Sequence, residues 1–594
     1  MKLPKSASMP HLKSAERQHL TALVMVLLLG LGLRLWHLDS KPLWLDEVLS
    51  ALFTMGRSYA DVPLNQFFPL TQLEQVFTPQ PGVSWGEITQ RLATESVHPP
   101  VFFCLLYTWM QWLQPGENWI FALRLLPALF GVGVIGAIYW LNRIAFSPRA
   151  GLIAATLMAV SPFAVYLSQE ARHYTLPMLL ITLALVALVQ MQQDLIQQKR
   201  LRLTAWVGWS LLNLVGLYTH YFCLLALIAQ IGAFTLWMVQ QRRQICRRFW
   251  LAWVGVISVI GIGYLPWLTT LISHFSRPET DWLIPYKPDW LDRLEPLYQT
   301  LVGWTLMVIA LPVEAQPNWI AIPATLLMLS FIIWFVGLLR SRIQTLWQSA
   351  SYRPATLLIG GFTGFVVLQF FAIVYLLDKD LTVVPRYNFV YYPGVCALLA
   401  ACLGSNPTQQ TKKLAPQPLA HALHHPLTLV FLAGLLSSIA VVYGGSFQKS
   451  YHPDRVAADF AFAPEQPLVV VMTYRSPQEV ALGLSFALEL AKRYPLETID
   501  QRVQFAFLDR TNGYSQAWRR LSDFDQPLSP PLNLWAIASP GMRTKDYPQR
   551  LRLNAPPTPT VRPKMQCQVD PQAFYRLGFP YQLFRCQPLL RKTP

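Results

Sequence analysis

The chain has 594 residues, of which 53% are hydrophobic and only 13% charged. Soluble proteins carry about 25% charged residues, so half that share over this length excludes an ordinary soluble enzyme and points to a polytopic membrane protein. The formal charge of +17 invites a nucleic-acid reading, but its distribution follows membrane topology instead, and no nucleic-acid partner is expected.

Residues 1–19 carry Lys2, Lys5, Lys13 and Arg17 ahead of an apolar run. No small-residue cleavage site follows, so the run is expected to stay as an anchor behind a cytoplasmic tail. Apolar runs long enough to span occur near 20–36, 121–141, 150–167, 175–191, 204–218, 221–239, 249–272, 318–339, 355–377, 387–403 and 426–444. A further run, 99–113, is short and bounded by Pro99-Pro100 and Gln114-Pro115-Gly116. Charge decides whether it crosses. If it does not, the inner segments hold 18 Lys/Arg and two acids, while the outer loops hold nine Lys/Arg and 17 acids. If it does, the Lys/Arg excess moves outside, against the positive-inside rule. The expectation is eleven spans over 20–444, with 99–113 re-entrant or on the surface and 37–120 forming the first outer loop.

Polar residues then gather on one side. Leu43-Trp44-Leu45-Asp46-Glu47 opens the first outer loop, and apolar residues at helical spacing predict a short amphipathic helix on the membrane surface. The plainer alternative makes Asp46 an N-cap and Glu47 a first-turn acid. His98, Ser168-Gln169-Glu170-Ala171-Arg172-His173-Tyr174, Tyr218-Thr219-His220-Tyr221 and Pro385-Arg386-Tyr387 lie on the same side. Taken singly, Arg172 and Arg386 read equally as snorkelling anchors, His220 as an interfacial residue, and Glu170 as an ion-pair partner of Arg172 or Arg34. Clustering at span ends is what argues for a site.

Beyond about 445 apolar runs shorten and strands alternate with helices: strands at 467–472, 503–508, 533–538 and 581–586, helices at 477–493 and 514–522. This predicts a small α/β domain over 445–594, placed outside by the odd span number. Cys567 and Cys586 can pair in an oxidising compartment. The other cysteines show no CxxC or His/Cys ligand spacing, so a structural zinc site has no support. Residues 554–563 read as an extended Pro-rich segment.

Carboxylates beside cations at a lipid–water boundary suit transfer from a lipid-linked phosphate donor. The leaving phosphate needs positive charge, for which Arg172, Arg386 and His98 are candidates. A hydroxyl acceptor needs a base, for which Asp46 is the candidate. Glu170, Tyr174, His220, Tyr221 and Tyr387 are the expected substrate contacts. No P-loop or Rossmann fingerprint offers a nucleotide cradle in the membrane part.

Trp44-Leu45-Asp46-Glu47, His98-Pro99-Pro100, Ala122-Leu123-Arg124-Leu125-Leu126-Pro127-Ala128-Leu129-Phe130-Gly131 and Ser168-Gln169-Glu170-Ala171-Arg172 together resemble polyprenyl-phosphate-sugar-dependent glycosyltransferases of the GT-C fold. Protein O-mannosyltransferases, the lipid A aminoarabinose transferase and family-39-like enzymes are the nearest in pattern. The resemblance covers 20–240 and, more loosely, 318–403. It implies a polytopic α-helical GT-C-like protein in the plasma (inner) membrane. It also implies inverting transfer to a hydroxyl of a protein, lipid or glycan, with Asp46 as base, Glu47 in support and His98 near the donor phosphate. Such relatives often carry an Asp in the second outer loop; here that place falls near Thr175, and the nearest acid is Glu170. No obligatory metal is therefore expected, a divalent ion staying an option. The alternatives are a lipid-linked saccharide transporter, which would want a repeat and midplane charges, and a catalytically inactive membrane scaffold.

Overall fold

The computed structural model describes residues 10–277, 283–284, 289–404, 426–463, 465–524, 528–554 and 564–589. The start of the basic tail, most of the inner segment 404–425 and nearly all of the Pro-rich stretch 554–563 lie outside them. The chain forms two compact units. One comprises residues 1–38, 92–102 and 124–448; the other comprises 39–91, 103–123 and 449–594. Residues 39–91 and 103–120 of the expected first outer loop thus group with the C-terminal residues rather than with most of the spans.

The first unit is helical. Among the described residues seven helices can, by length and composition, cross a membrane: Glu16–Leu35, Gly116–Ala145, Thr175–Gln198, Cys223–Gln240, Arg247–Phe275, Asn318–Gln348 and Arg353–Leu376. On Asn318–Gln348, Leu326, Leu329, Ile333 and Val336 are all exposed, an apolar surface that suits lipid. The expected span 150–167 is broken into Pro148–Ala159 and Pro162–Ser168, bent by 59°, and counting it gives eight. Leu203–Leu217, Tyr392–Gly404 and Pro426–Val442 occupy three further expected spans but are shorter, so the count of eleven rests on helices of 13 to 17 residues. Val101–Leu113 has 13 residues, short of the roughly 20 that a bilayer core requires.

The break has a local cause and a specific repair. Pro162 cannot continue a helix from the preceding turn, and Ser161 starts a new one by accepting the Ala164 N–H at 3.2 Å. Carbonyls freed in an apolar setting must find donors. The fully buried Arg34 donates to Met158 O at 3.0 Å and Ala159 O at 3.2 Å, and also to Gly30 O and Ser168 Oγ. Ser438 Oγ donates to Val160 O at 2.8 Å. Arg34 is thereby committed to carbonyls and a hydroxyl. Gly131 makes room for this: a Cβ there would sit 2.1 Å from Ser168 Oγ and 3.0 Å from Arg34 Nε.

The second unit is built on a seven-stranded sheet. Its strands are β1 Phe67–Pro69, β2 Leu468–Tyr474, β3 Val503–Asp509, β4 Leu532–Ile537, β5 Arg550–Asn554, β6 Lys564–Leu577 and β7 Phe579–Pro588, in spatial order β1-β3-β2-β4-β7-β6-β5. Only β3-β2-β4 is parallel, each step crossing through a helix, Pro477–Ala491 or Tyr514–Ser522. β1 comes from the first loop and pairs antiparallel with β3. Cys567 and Cys586 stand opposite each other on β6 and β7 and are disulfide-bonded.

Candidate active site

The acid pair lies on the helix Leu45–Thr54 of the second unit. Trp44, in extended conformation, occupies the N-cap position, so Asp46 is not the cap. Both acids sit in the first turn, where free N–H groups favour negative charge. The expected membrane-surface helix is corrected: Val48, Ala51 and Leu52 are buried, and the helix packs against Pro477–Ala491, whose Ser485 hydroxyl donates to Leu43 O. An amphipathic face needs an apolar partner, and here protein supplies it. Glu47 is 1% exposed and Asp46 half-buried, so Asp46 is the more accessible carboxylate. Lys449 Nζ stands 3.8 Å over the Trp44 ring, a cation–π contact.

The second group of candidates forms in the first unit, where three inter-helix segments meet. Pro99 and Pro100 follow a bend at 97–98 and lead into the helix Val101–Leu113. The Val101 N–H donates to Tyr218 O at 3.0 Å, tying that helix start to the turn at 218–222. The stretch 169–174 bridges Pro162–Ser168 and Thr175–Gln193, with Arg172 N–H on Glu170 O at 2.7 Å. Gln169 Nε2 donates to Leu33 O, Arg34 O and Trp36 O.

Arg172, 4% exposed, donates through Nη2 to His98 Nε2 at 3.3 Å. Guanidinium has no acceptor, so His98 Nε2 carries the lone pair and Nδ1–H donates to Ser96 Oγ at 2.8 Å. Burial, with Arg172 and His274 nearby, holds His98 well below the usual histidine range. His98 is therefore neutral and orients Arg172 instead of supplying a charge of its own. His173 packs edge-on to His98 at 4.8 Å and against His220 at 4.6 Å. Burial, then Arg172, His220, His98 and Arg386, depress His173 well below its ordinary value. His220 is depressed likewise by burial, His98 and Arg172. Its Nδ1 accepts the Phe222 N–H at 3.0 Å, leaving Nε2 as the donor. Tyr174 lies under Arg172 at 5.7 Å and beside Phe389 at 5.8 Å.

Arg386 belongs to the short helix Pro385–Val390, 5.7 Å from the Tyr387 ring, and acts electrostatically on His173. Tyr387 meets Phe222 edge-on at 4.7 Å. Tyr221 does something else. Burial pushes its hydroxyl up to about 12, and it is 2.6 Å from His274 Nδ1. His274 Nε2 reaches Ala93 O, and Arg277 donates to Ala93 O and Ser96 O, so this chain fastens the segment carrying His98. Glu170 is buried at the turn. Thr175 is fully buried and donates its hydroxyl to Pro127 O, a structural use.

Of the residues expected from sequence, His98, Arg172, Tyr174 and His220 come together, with Arg386 and Tyr387 alongside. Asp46 and Glu47 belong to the other unit. His173, Phe389 and His274 complete the cluster without having been singled out; His173 adjoins Arg172, but spacing does not tell which side chain of a turn points inward. Among the described residues no three His, Cys, Asp or Glu side chains are placed to hold a metal ion.

Residues 97–268, under a third of the chain, match the family described as Dolichyl-phosphate-mannose-protein mannosyltransferase. This segment contains His98, Glu170, Arg172, Tyr174, His220 and Tyr221, and it accords with the resemblance seen in the motifs. No curated protein matches the chain. Among solved structures, ArnT from Cupriavidus metallidurans bound to undecaprenyl phosphate is 14% identical with a TM-score of 0.49, covering 94% of this chain and 97% of that one. The archaeal oligosaccharyltransferase AglB from Archaeoglobus fulgidus, in complex with an inhibitory peptide and a dolichol-phosphate, is 13% identical with a TM-score of 0.45, covering 80% of this chain and 64% of that one.

Proposed function

We propose that this chain is a GT-C-type membrane glycosyltransferase that moves a sugar from a polyprenyl-phosphate donor to a hydroxyl acceptor at the outer face of the plasma membrane. The observation that carries this reading is the buried cluster in which Arg172 is held by His98 and flanked by His173 and His220, within the segment that matches the mannosyltransferase family.

Arg172 and Arg386 take the donor phosphate. A guanidinium forks onto phosphate oxygens and keeps its charge at any working pH, and it stabilises the negative charge that builds as the sugar leaves. Neutral His220 adds an N–H donor, and Tyr174, Phe389 and Tyr387 line the approach. Asp46 is the general base and buried Glu47 orients it. The acceptor oxygen attacks the anomeric carbon as the carbon–oxygen bond to phosphate breaks. Its proton passes to Asp46, the phosphate leaves with the bonding electrons, and configuration inverts. No obligatory metal takes part, the guanidiniums supplying the positive charge. The disulfide-bonded C-terminal unit lies on the outer side, where an oxidising compartment keeps Cys567 and Cys586 paired.

The test is direct. Purified protein in liposomes is supplied with a polyprenyl-phosphate-linked sugar of known anomeric configuration, with and without EDTA, and the product is read by NMR. Inverted linkage, insensitivity to EDTA and loss of donor binding in Arg172→Ala are expected. Retained configuration removes the single-displacement step, and EDTA inhibition removes the metal-free assignment.

A further inference from the structure

The C-terminal sheet carries a feature that sugar transfer does not use. Over 550–553, 565–569 and 584–587 buried and more exposed residues alternate, and one face is core: Leu551, Leu553, Met565, Cys567, Phe584 and Cys586 are all buried. The opposite face is made of guanidinium and amide groups in cross-strand register. Arg550 stands opposite Gln568, which stands opposite Arg585; Arg552 stands opposite Gln566, which stands opposite Gln587. Neighbouring residues on one face lie about 6.6–6.8 Å apart along a strand and about 4.8 Å apart across it, so these six side chains form a regular grid.

A cavity of about 470 Å³ opens on this grid between Gln566, Gln568, Asp570, Arg585 and Gln587. That lies within the roughly 300–1,000 Å³ of small-ligand sites. Arg585 Nε donates to Asp570 Oδ2 at 2.9 Å, which fixes both groups at the rim. The half-exposed Phe462 ring lies 5.7 Å from the Arg585 guanidinium and offers an apolar plate beside it.

The chemistry selects a ligand. Guanidiniums at regular intervals fit repeated carboxylates through forked hydrogen bonds. Primary amides both donate and accept, as hydroxyls require. Asp570 only accepts, so it favours a ligand rich in O–H donors and opposes a phosphate diester, which has none to give. We propose that this face of the C-terminal sheet binds an acidic polysaccharide, a glycan bearing repeated carboxylates such as uronates. The site is separate from the Arg172 cluster and does not depend on the transferase reading.

The experiment uses the full chain in detergent and measures affinity for oligogalacturonate at low and high salt, with neutral dextran and phosphatidylglycerol vesicles as comparison probes. Arg550 and Arg552 are exposed, and no described residue bonds or ion-pairs with either side chain. The double change Arg550→Gln, Arg552→Gln therefore leaves the fold intact, checked by an unchanged unfolding midpoint. Oligogalacturonate is expected to bind, more weakly at high salt, and the double variant to lose at least about tenfold in affinity. Binding that is equal in the double variant, dextran binding as tight as that of oligogalacturonate, or binding to the vesicles alone would each overturn the proposal.

Discussion

Replacing His98 by Phe tests the reading that a neutral histidine aims Arg172 at the donor phosphate. The ring keeps its plane and approximate volume beside His173, but Nε2, the acceptor 3.3 Å from Arg172 Nη2, is lost. A hydrogen bond to a charged group contributes roughly 1.5–3 kcal/mol, and about 1.4 kcal/mol is a factor of ten. If that bond is what holds the guanidinium in place, kcat/KM falls by roughly 10- to 150-fold. His98→Gln, which restores an acceptor, should recover part of the loss. Steady-state transfer in proteoliposomes is the assay, run also in an Arg172→Ala background. There His98→Phe should cost little further, because the residue it positions is gone. Full activity in His98→Phe, or an equal loss in both backgrounds, would refute the positioning role.

Three further outcomes follow from the same structure. His98, His173 and His220 are all held below their ordinary pKa of about 6.5, so the unfolded chain takes up protons that the folded chain refuses. Stability is then complete above about pH 6.5 and falls as pH drops toward the depressed values, by up to about 4 kcal/mol per pH unit for three protons; a thermal midpoint independent of pH between 7.5 and 5 would contradict this. Arg386→Lys keeps the charge but loses the fork, so transfer should fall about tenfold or more while the protein still inserts, and unchanged donor affinity in Arg386→Ala would leave Arg386 as an anchor. In a Cys246→Ser background, single cysteines at Gln244 and Asp289 should be labelled from opposite sides of the membrane, and labelling from the same side would overturn the topology.

In the C-terminal unit β2, β3, β4 and much of β7 were legible as short apolar runs, and Tyr514–Ser522 falls where the spacing puts it, whereas β5 and β6 alternate polar with apolar residues and were not read as strands. β1 was not, since Phe67–Pro69 owes its strand conformation to β3, more than 400 residues away. The break at Ser161-Pro162 was hidden by composition: 150–167 is mostly apolar and carries no charge, and hydropathy does not register a lost backbone donor. The helix of the acid pair was foreseen, but amphipathicity demands a partner without naming it, and the partner is Pro477–Ala491, not lipid. Span-end placement pointed to Arg172 and His220, which the structure brings into one cluster, because polar residues there are rare. It missed that burial keeps His98 neutral and that Tyr221 serves His274, because both depend on neighbours distant in sequence.

The most direct test of the central claim is donor binding and turnover measured together in Asp46→Asn, with Glu47→Gln beside it. Trp44 holds the N-cap position, so the substitution removes no helix cap and isolates proton transfer. A general base contributes roughly 10²–10⁴-fold; the account predicts that loss in turnover for Asp46→Asn with polyprenyl-phosphate binding unchanged, and a milder loss for Glu47→Gln. Full transfer by Asp46→Asn would contradict it.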